Sequence, residues 1–198
     1  MQYIKQILFE TLLWISLIFS NRIPIQAPVG ALIAARNPST VSSLILTSPP
    51  IYKDMITAVP STELEKNYNF LKSPIFGQIA FSILESRGII EFFSNQFLFS
   101  GKCDSTWLDE TEKEMSILAR PPIQAFNAGL LQHRSFEDEL KRISQPTYIL
   151  SGAGDKRAKD RVDYGTELQQ CTLITLDGTN VIPWESPIGV IDLIKVVL

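Results

Sequence analysis

Hydrophobic and polar positions change period twice along this chain, and the changes divide it into three parts. Residues 29–50, VGALIAARNPSTVSSLILTSPP, read as a turn, an amphipathic helix and a strand with an abrupt end. Gly30 opens the predicted helix, Ala31, Ala34 and Ala35 give it a small-residue face, and Asn37-Pro38 stops it. Val41 to Leu46 then supplies the β-branched and leucine run of a parallel strand buried on both faces. From Ile51 to Ser144 the apolar spacing is helical and no strand is predicted. Thr62 to Glu65 has the form of a capping box for a helix through Leu71, and Pro74 begins another, with Ile75, Ile79 and Ile83 at helical spacing until Arg87-Gly88. Further helices are predicted over Ile89–Leu98 and Ser105–Leu118, with a short piece from Pro121-Pro122 to Leu131 and a Ser135-capped helix over Phe136–Ile143. After Pro146 the strand period returns: a strand at Thr147–Leu150, the loop SGAGD, a helix at Asp160–Gln169 and a strand at Thr172–Leu176. A last helix is capped by Ser186 with Pro187 in its first position.

The first 28 residues do not follow this scheme. Ile7 to Phe19 is strongly apolar, which suits a signal peptide or a short anchor as well as a buried helix leading into a strand around Ile15 to Ile25. Glu10 within the run, a length short of the ~20 residues that span a bilayer, and the lack of an A-x-A-like cleavage site favour the buried helix and strand. Two prolines in Arg22–Pro28 limit that strand to an end near Ile25.

Composition narrows the function classes. A chain of 198 residues, 45% hydrophobic and 20% charged, is long enough for one domain with a real core. Its net charge of -3, with Lys and Arg scattered, offers no basic stripe for condensed phosphate, so nucleic acid is not an expected partner. Cys103 and Cys171 lie far apart with no CxxC or histidine companions, which reads as two ordinary thiols in a reducing compartment. No metal or organic cofactor is indicated.

The Ala-rich helix running into ARNPSTVSSLILTSPP, the strand ending in YILSGAGD and the loop GTNVIPWESP before the last helix resemble, in that order, the α/β-hydrolase superfamily. The resemblance covers Val29 to Leu198 and is nearest to plant and cyanobacterial members of the lipase, esterase and dehalogenase-like branch. It implies an α/β fold: the C-terminal half of a doubly wound parallel sheet of about four strands, with a helical lid inserted. The expected organisation is a single domain, 1–198, with an atypical N-terminal helix and strand (1–28), core (29–50), lid (51–145) and core again (146–198). An intracellular setting, cytoplasm or chloroplast, is expected rather than a secreted one, and the membrane is not an expected partner.

The family's chemistry requires a Ser at a G-x-S-x-G elbow, a His that activates it and an acid that orients the His. With Gly30 as the motif's last glycine, Pro28 stands where the nucleophile should be; it has no hydroxyl and a fixed φ. In the loop where the family has its His, this chain has Thr179 and Asn180, neither of which titrates near neutral pH. Asp155 in SGAGD matches the family's acid, although an Asp in a Gly-rich turn also serves simply to bond loop N–H groups. The single histidine, His133, lies at the end of the lid region, and Ser48 and Ser151 follow strand ends.

Three readings stay open at this point. The first is a hydrolase-fold protein without a working triad, a pseudoenzyme or truncated isoform binding a small apolar molecule under its lid. The second is an active hydrolase of a small ester with a nonstandard nucleophile, and the third a short membrane-anchored protein. The ~25 residues before the elbow are too few for the family's usual preceding strands, which leads to two expectations: a shortened chain or gene model, and an exposed sheet edge open to self-association. The lid aromatics, among them Phe70, Phe76, Phe81, Phe92, Phe97 and Trp107, could line an apolar pocket, but aromatics at helical spacing are more often plain core.

Overall fold

The computed structural model describes residues 26–114, 121, 124–125, 128–130 and 133–197. Its centre is a parallel sheet of three strands in the order β1 (Leu44–Thr47), β2 (Thr147–Gly152), β3 (Cys171–Leu176). Leu44 pairs with Thr147 and Thr147 with Cys171, so the three strands start in step; β1 ends opposite Leu150, two residues before β2 and β3 end together at Gly152 and Leu176. The expectation of about four strands rested on a further strand at Ile15–Ile25, which lies outside the described residues, as does the whole apolar N-terminal run.

Helix α1 (Gln26–Arg36) packs on the sheet through Ala27, Ala31 and Ala34, all buried, a small-residue face that lets the helix lie close to Leu44 and Leu46. Within the described residues it already runs from Gln26, four residues ahead of the predicted start at Gly30, so Pro28 is a buried residue of the helix. Gln145 ties the next helical layer to α1, its amide donating to the Ala34 carbonyl at 2.9 Å. The main core cluster joins α1 and β1 to Met55, Phe136, Leu140, Ile149 and Tyr164.

Between β1 and β2 the described residues hold helices and no strand, as expected. They are α2 (Tyr52–Ile56), α3 (Ser61–Leu71), α4 (Phe76–Leu84), α5 (Arg87–Phe93) continued by a π turn at Ser94–Leu98, α6 (Ser105–Glu114) and α7 (Glu137–Arg142). Several local expectations need correction. Ser61 lies inside α3, whose N-cap is Pro60, so the capping box at Thr62–Glu65 does not form. Helix α4 ends at Leu84, and Arg87, expected to end it, instead begins α5 and bonds Asp109 (2.7 Å) and Glu112 (2.6 Å) on α6. Ser135 does act at the start of α7, accepting the Glu137 N–H at 3.1 Å.

A second cluster, Ile90, Phe99, Cys103, Trp107 and Leu108 with Val181, fixes this insertion to the segment after β3. Beyond β2 the predicted helix at Asp160–Gln169 is split into a 3₁₀ turn (Ala158–Arg161) and α8 (Asp163–Glu167). The segment after β3 contains a short helix, α9 (Ile182–Glu185), before the closing helix α10 (Pro187–Val197). No helix among the described residues is long and apolar enough to cross a membrane.

Candidate functional site

Because the strands are parallel and in register, their C-terminal ends form one edge, the place where open α/β sheets present their loops to ligands. Ser48, Ser151, Asp155, Thr179 and Asn180 all belong to this edge or its loops. Strand β2 runs two residues past its predicted end, so Ser151 and Gly152 are strand residues and only the remainder of SGAGD is loop.

Gly152 is what brings the loops together. A Cβ there would lie 2.2 Å from the Thr179 carbonyl oxygen and 2.4 Å from that of Gly178, so only glycine lets residues 178–179 rest on the end of β2. The Gly154 N–H then donates to the Gly178 carbonyl at 2.9 Å. Gly178 itself has φ +114°, a conformation that favours glycine, and this turns the loop back across the sheet edge.

Asp155 is held in a different partnership from the one its family position implies. Its carboxylate forms a buried ion pair with Arg161 and accepts the Arg157 N–H at 2.9 Å. Both members of the pair are almost wholly buried, Asp155 at 8% and Arg161 at 4% exposure. Arg161 also donates to the Pro49 carbonyl and, at 3.3 Å, to the Ser151 hydroxyl, so the guanidinium itself links the ends of β1 and β2. A carboxylate so engaged has its charge compensated by guanidinium rather than imidazole. Sequence reading missed Arg161, since one Arg in KDRVDYG carries no motif.

Thr179 and Asn180 are occupied by backbone contacts. The Thr179 N–H donates to Glu185 at 2.7 Å, and its hydroxyl is buried with no hydrogen-bond partner among the described residues. Asn180 donates its side-chain amide to the Phe97 carbonyl at 2.5 Å and its N–H to that of Leu98 at 3.0 Å. The Ser48 hydroxyl reaches the Thr179 carbonyl at 3.5 Å, a long contact, while its backbone has φ +44°. A buried non-glycine residue in that region at a strand end is a strained position of the sort that clusters at functional sites. His133 is exposed, with Nδ1 3.1 Å from the Leu130 carbonyl oxygen within the insertion.

An open cleft of about 370 Å³ lies beside this edge, with Phe99, Ser100 and Lys102 on one wall and Asp177, Trp184 and Glu185 on the other. Apart from Phe99, the aromatics of the insertion contribute little to it. Phe70, Phe92 and Phe97 face outward, and Trp107 is fully buried between Phe99 and Trp184, with edge contacts to both rings. Among the described residues no group of three His, Cys, Asp or Glu side chains is placed to hold a metal ion.

The architecture of a parallel sheet with a helical insertion is that of the α/β hydrolases, and comparison with solved structures gives the same fold. An α/β hydrolase from Nostoc sp. PCC 7120 superposes with a TM-score of 0.60 at 17% identity, over 85% of this chain and 61% of that one. A haloalkane dehalogenase from Agrobacterium tumefaciens C58 gives 0.58 at 17% identity, over 86% and 62%. A bacterial membrane phospholipase A gives 0.55 at 18% identity, over 86% and 53%. The chain thus spans between half and two thirds of the length of these proteins. No family model matches the chain, and no curated protein does.

Proposed function

We propose that this chain is an α/β-hydrolase-fold protein without a working Ser-His-Asp triad, and that it binds a small molecule in the cleft between the lid and the loop after β3. One observation supports the loss of catalysis above the others: Asp155, the family's acid by position, is paired with buried Arg161. Much of that acid's charge is already compensated by the guanidinium, which weakens its hold on any imidazole, and Thr179 and Asn180 supply no base near neutral pH. Pro28, within α1, offers no nucleophile. The cleft's Asp177, Glu185 and Lys102 suit a ligand with polar groups beside its apolar part, which moves the expectation away from a purely apolar molecule.

The strained backbone of Ser48 favours one alternative, a hydrolase of small esters with Ser48 as a nonstandard nucleophile. A panel of p-nitrophenyl esters together with a fluorophosphonate probe separates the two. The binding reading expects no turnover above buffer and no labelled serine. Labelling of Ser48 with turnover that disappears in Ser48→Ala would establish the hydrolase and sink the first reading.

A further inference from the structure

Four hydrogen bonds converge where the insertion meets the loop after β3, and one side chain is common to two of them. Glu185, the last residue of α9, accepts the Ser100 N–H at 2.9 Å with one carboxylate oxygen and the Thr179 N–H at 2.7 Å with the other. Ser100 precedes it by 85 residues and belongs to the insertion; Thr179 sits on the sheet edge. Asn180 adds its own two bonds to the carbonyls of Phe97 and Leu98, so the insertion is tied to the loop after β3 directly at residues 97–98 and, at Ser100, through Glu185. Close packing keeps the acid in place. A Cβ on Gly178 would fall 2.9 Å from the Glu185 Cβ and 3.0 Å from its Oε2, so the loop can lie against Glu185 only because residue 178 is glycine.

We propose that Glu185 is a latch, a single carboxylate that fastens the middle of the helical insertion to the sheet-edge loop and holds the adjoining cleft in its present shape. Each oxygen bridges to a different part of the fold, so losing the charge loosens both sides together. Release would let residues 97–100 lift from the core and would free Thr179 to move off Ser48, whose hydroxyl reaches the Thr179 carbonyl. The latch does not depend on whether the edge performs chemistry or only binds.

Hydrogen exchange on the full chain tests it, with Glu185→Gln and Glu185→Ala compared with the parent. The latch predicts that exchange at Ser100, Thr179 and Asn180 rises by on the order of tenfold in both variants, while Ile149 to Ser151 in β2 change by less than about twofold. Unchanged exchange at Ser100 and Thr179 would overturn the proposal. So would an equal rise in β2, since that would make Glu185 a general stabiliser and not a latch. If neither variant folds, the parent chain in low urea decides. Ser100, Thr179 and Asn180 opening together, before β2, supports the latch; opening only with β2 refutes it.

Discussion

Glu85 offers the sharpest physical test of the helical insertion. It follows the last residue of α4, its N–H donating to the Phe81 carbonyl at 2.9 Å, and both its carboxylate oxygens are buried without a hydrogen-bond partner among the described residues. Burial pushes its carboxyl from the ordinary 4.5 up to about 7. Its place at a helix C-terminus, the negative end of the dipole, works in the same direction. The folded state therefore holds the Glu85 proton more tightly than the unfolded chain does. Stability from this site is greatest below about 4.5, declines as pH rises towards 7 and levels off above it. Full ionisation costs the folded state up to about 3 kcal/mol, from the shift multiplied by about 1.4 kcal/mol per tenfold change. Glu85→Gln removes the titration and keeps the shape. Its buried amide carries a cost of its own, but that cost does not vary with pH. Urea unfolding of parent and variant, followed by far-ultraviolet circular dichroism from pH 4.5 to 8.5, isolates the site, because every other carboxyl is common to both chains. The stability of the variant relative to the parent should rise by about 2–3 kcal/mol across that range. A difference that stays constant with pH would refute the reasoning.

Other expectations follow from the core and the sheet edge. Asp155→Ala leaves Arg161 buried and unpaired, and should cost about 3–5 kcal/mol in urea unfolding, whereas the double change Asp155→Leu with Arg161→Met should recover much of that loss. Gly152→Ala forces the new Cβ into the Thr179 and Gly178 carbonyls; the loop must move, which is read as lost protection of the Gly154 N–H and a destabilisation of at least about 2 kcal/mol. Ser48→Gly removes a strained side chain whose only hydroxyl contact is long, and is expected to raise stability by about 1 kcal/mol in thermal melts. Trp107→Ala empties the fully buried position between Phe99 and Trp184 and should cost about 3–5 kcal/mol, loosening the insertion first in hydrogen exchange.

The sheet was legible in the sequence because buried parallel strands are written as unbroken apolar runs. LILT starts three residues into the predicted Val41–Leu46 run and passes its end by one, TYILSG passes its predicted end by two, and the helical period of the insertion left little room for another reading. The misplaced boundaries have specific causes. The α1 start was set at Gly30 on the assumption that a sharp turn preceded it, yet the helix already takes in Pro28. Thr62–Glu65 matched a capping box in spelling, but Pro60 already ends the preceding chain in an extended conformation, so the helix begins at Ser61 and the threonine is interior. Arg161 and Glu185 could not be found at all, because their importance comes from partners far away in sequence: Pro49 lies 112 residues from Arg161, and Ser100 lies 85 from Glu185.

These two residues also show how the polar groups at the edge of the sheet find partners within the chain. A site that activates a nucleophile must keep polar groups partly unpaired and aimed at the space where substrate will sit. Here the polar groups are turned on one another instead. Asp155 answers Arg161, Glu185 answers two backbone N–H groups, and Asn180 answers two carbonyls, each satisfied within the chain. Satisfied partners are rigid and costly to separate, so the same bonds that weaken the claim to chemistry give the cleft a fixed shape. Two features escape this closure: the strained backbone of Ser48, and the Thr179 hydroxyl, which is buried beside Gly154 with no hydrogen-bond partner among the described residues. The Ser48 hydroxyl reaches Thr179 at its carbonyl, 3.5 Å away, and the latch at Glu185 holds the N–H of that same residue.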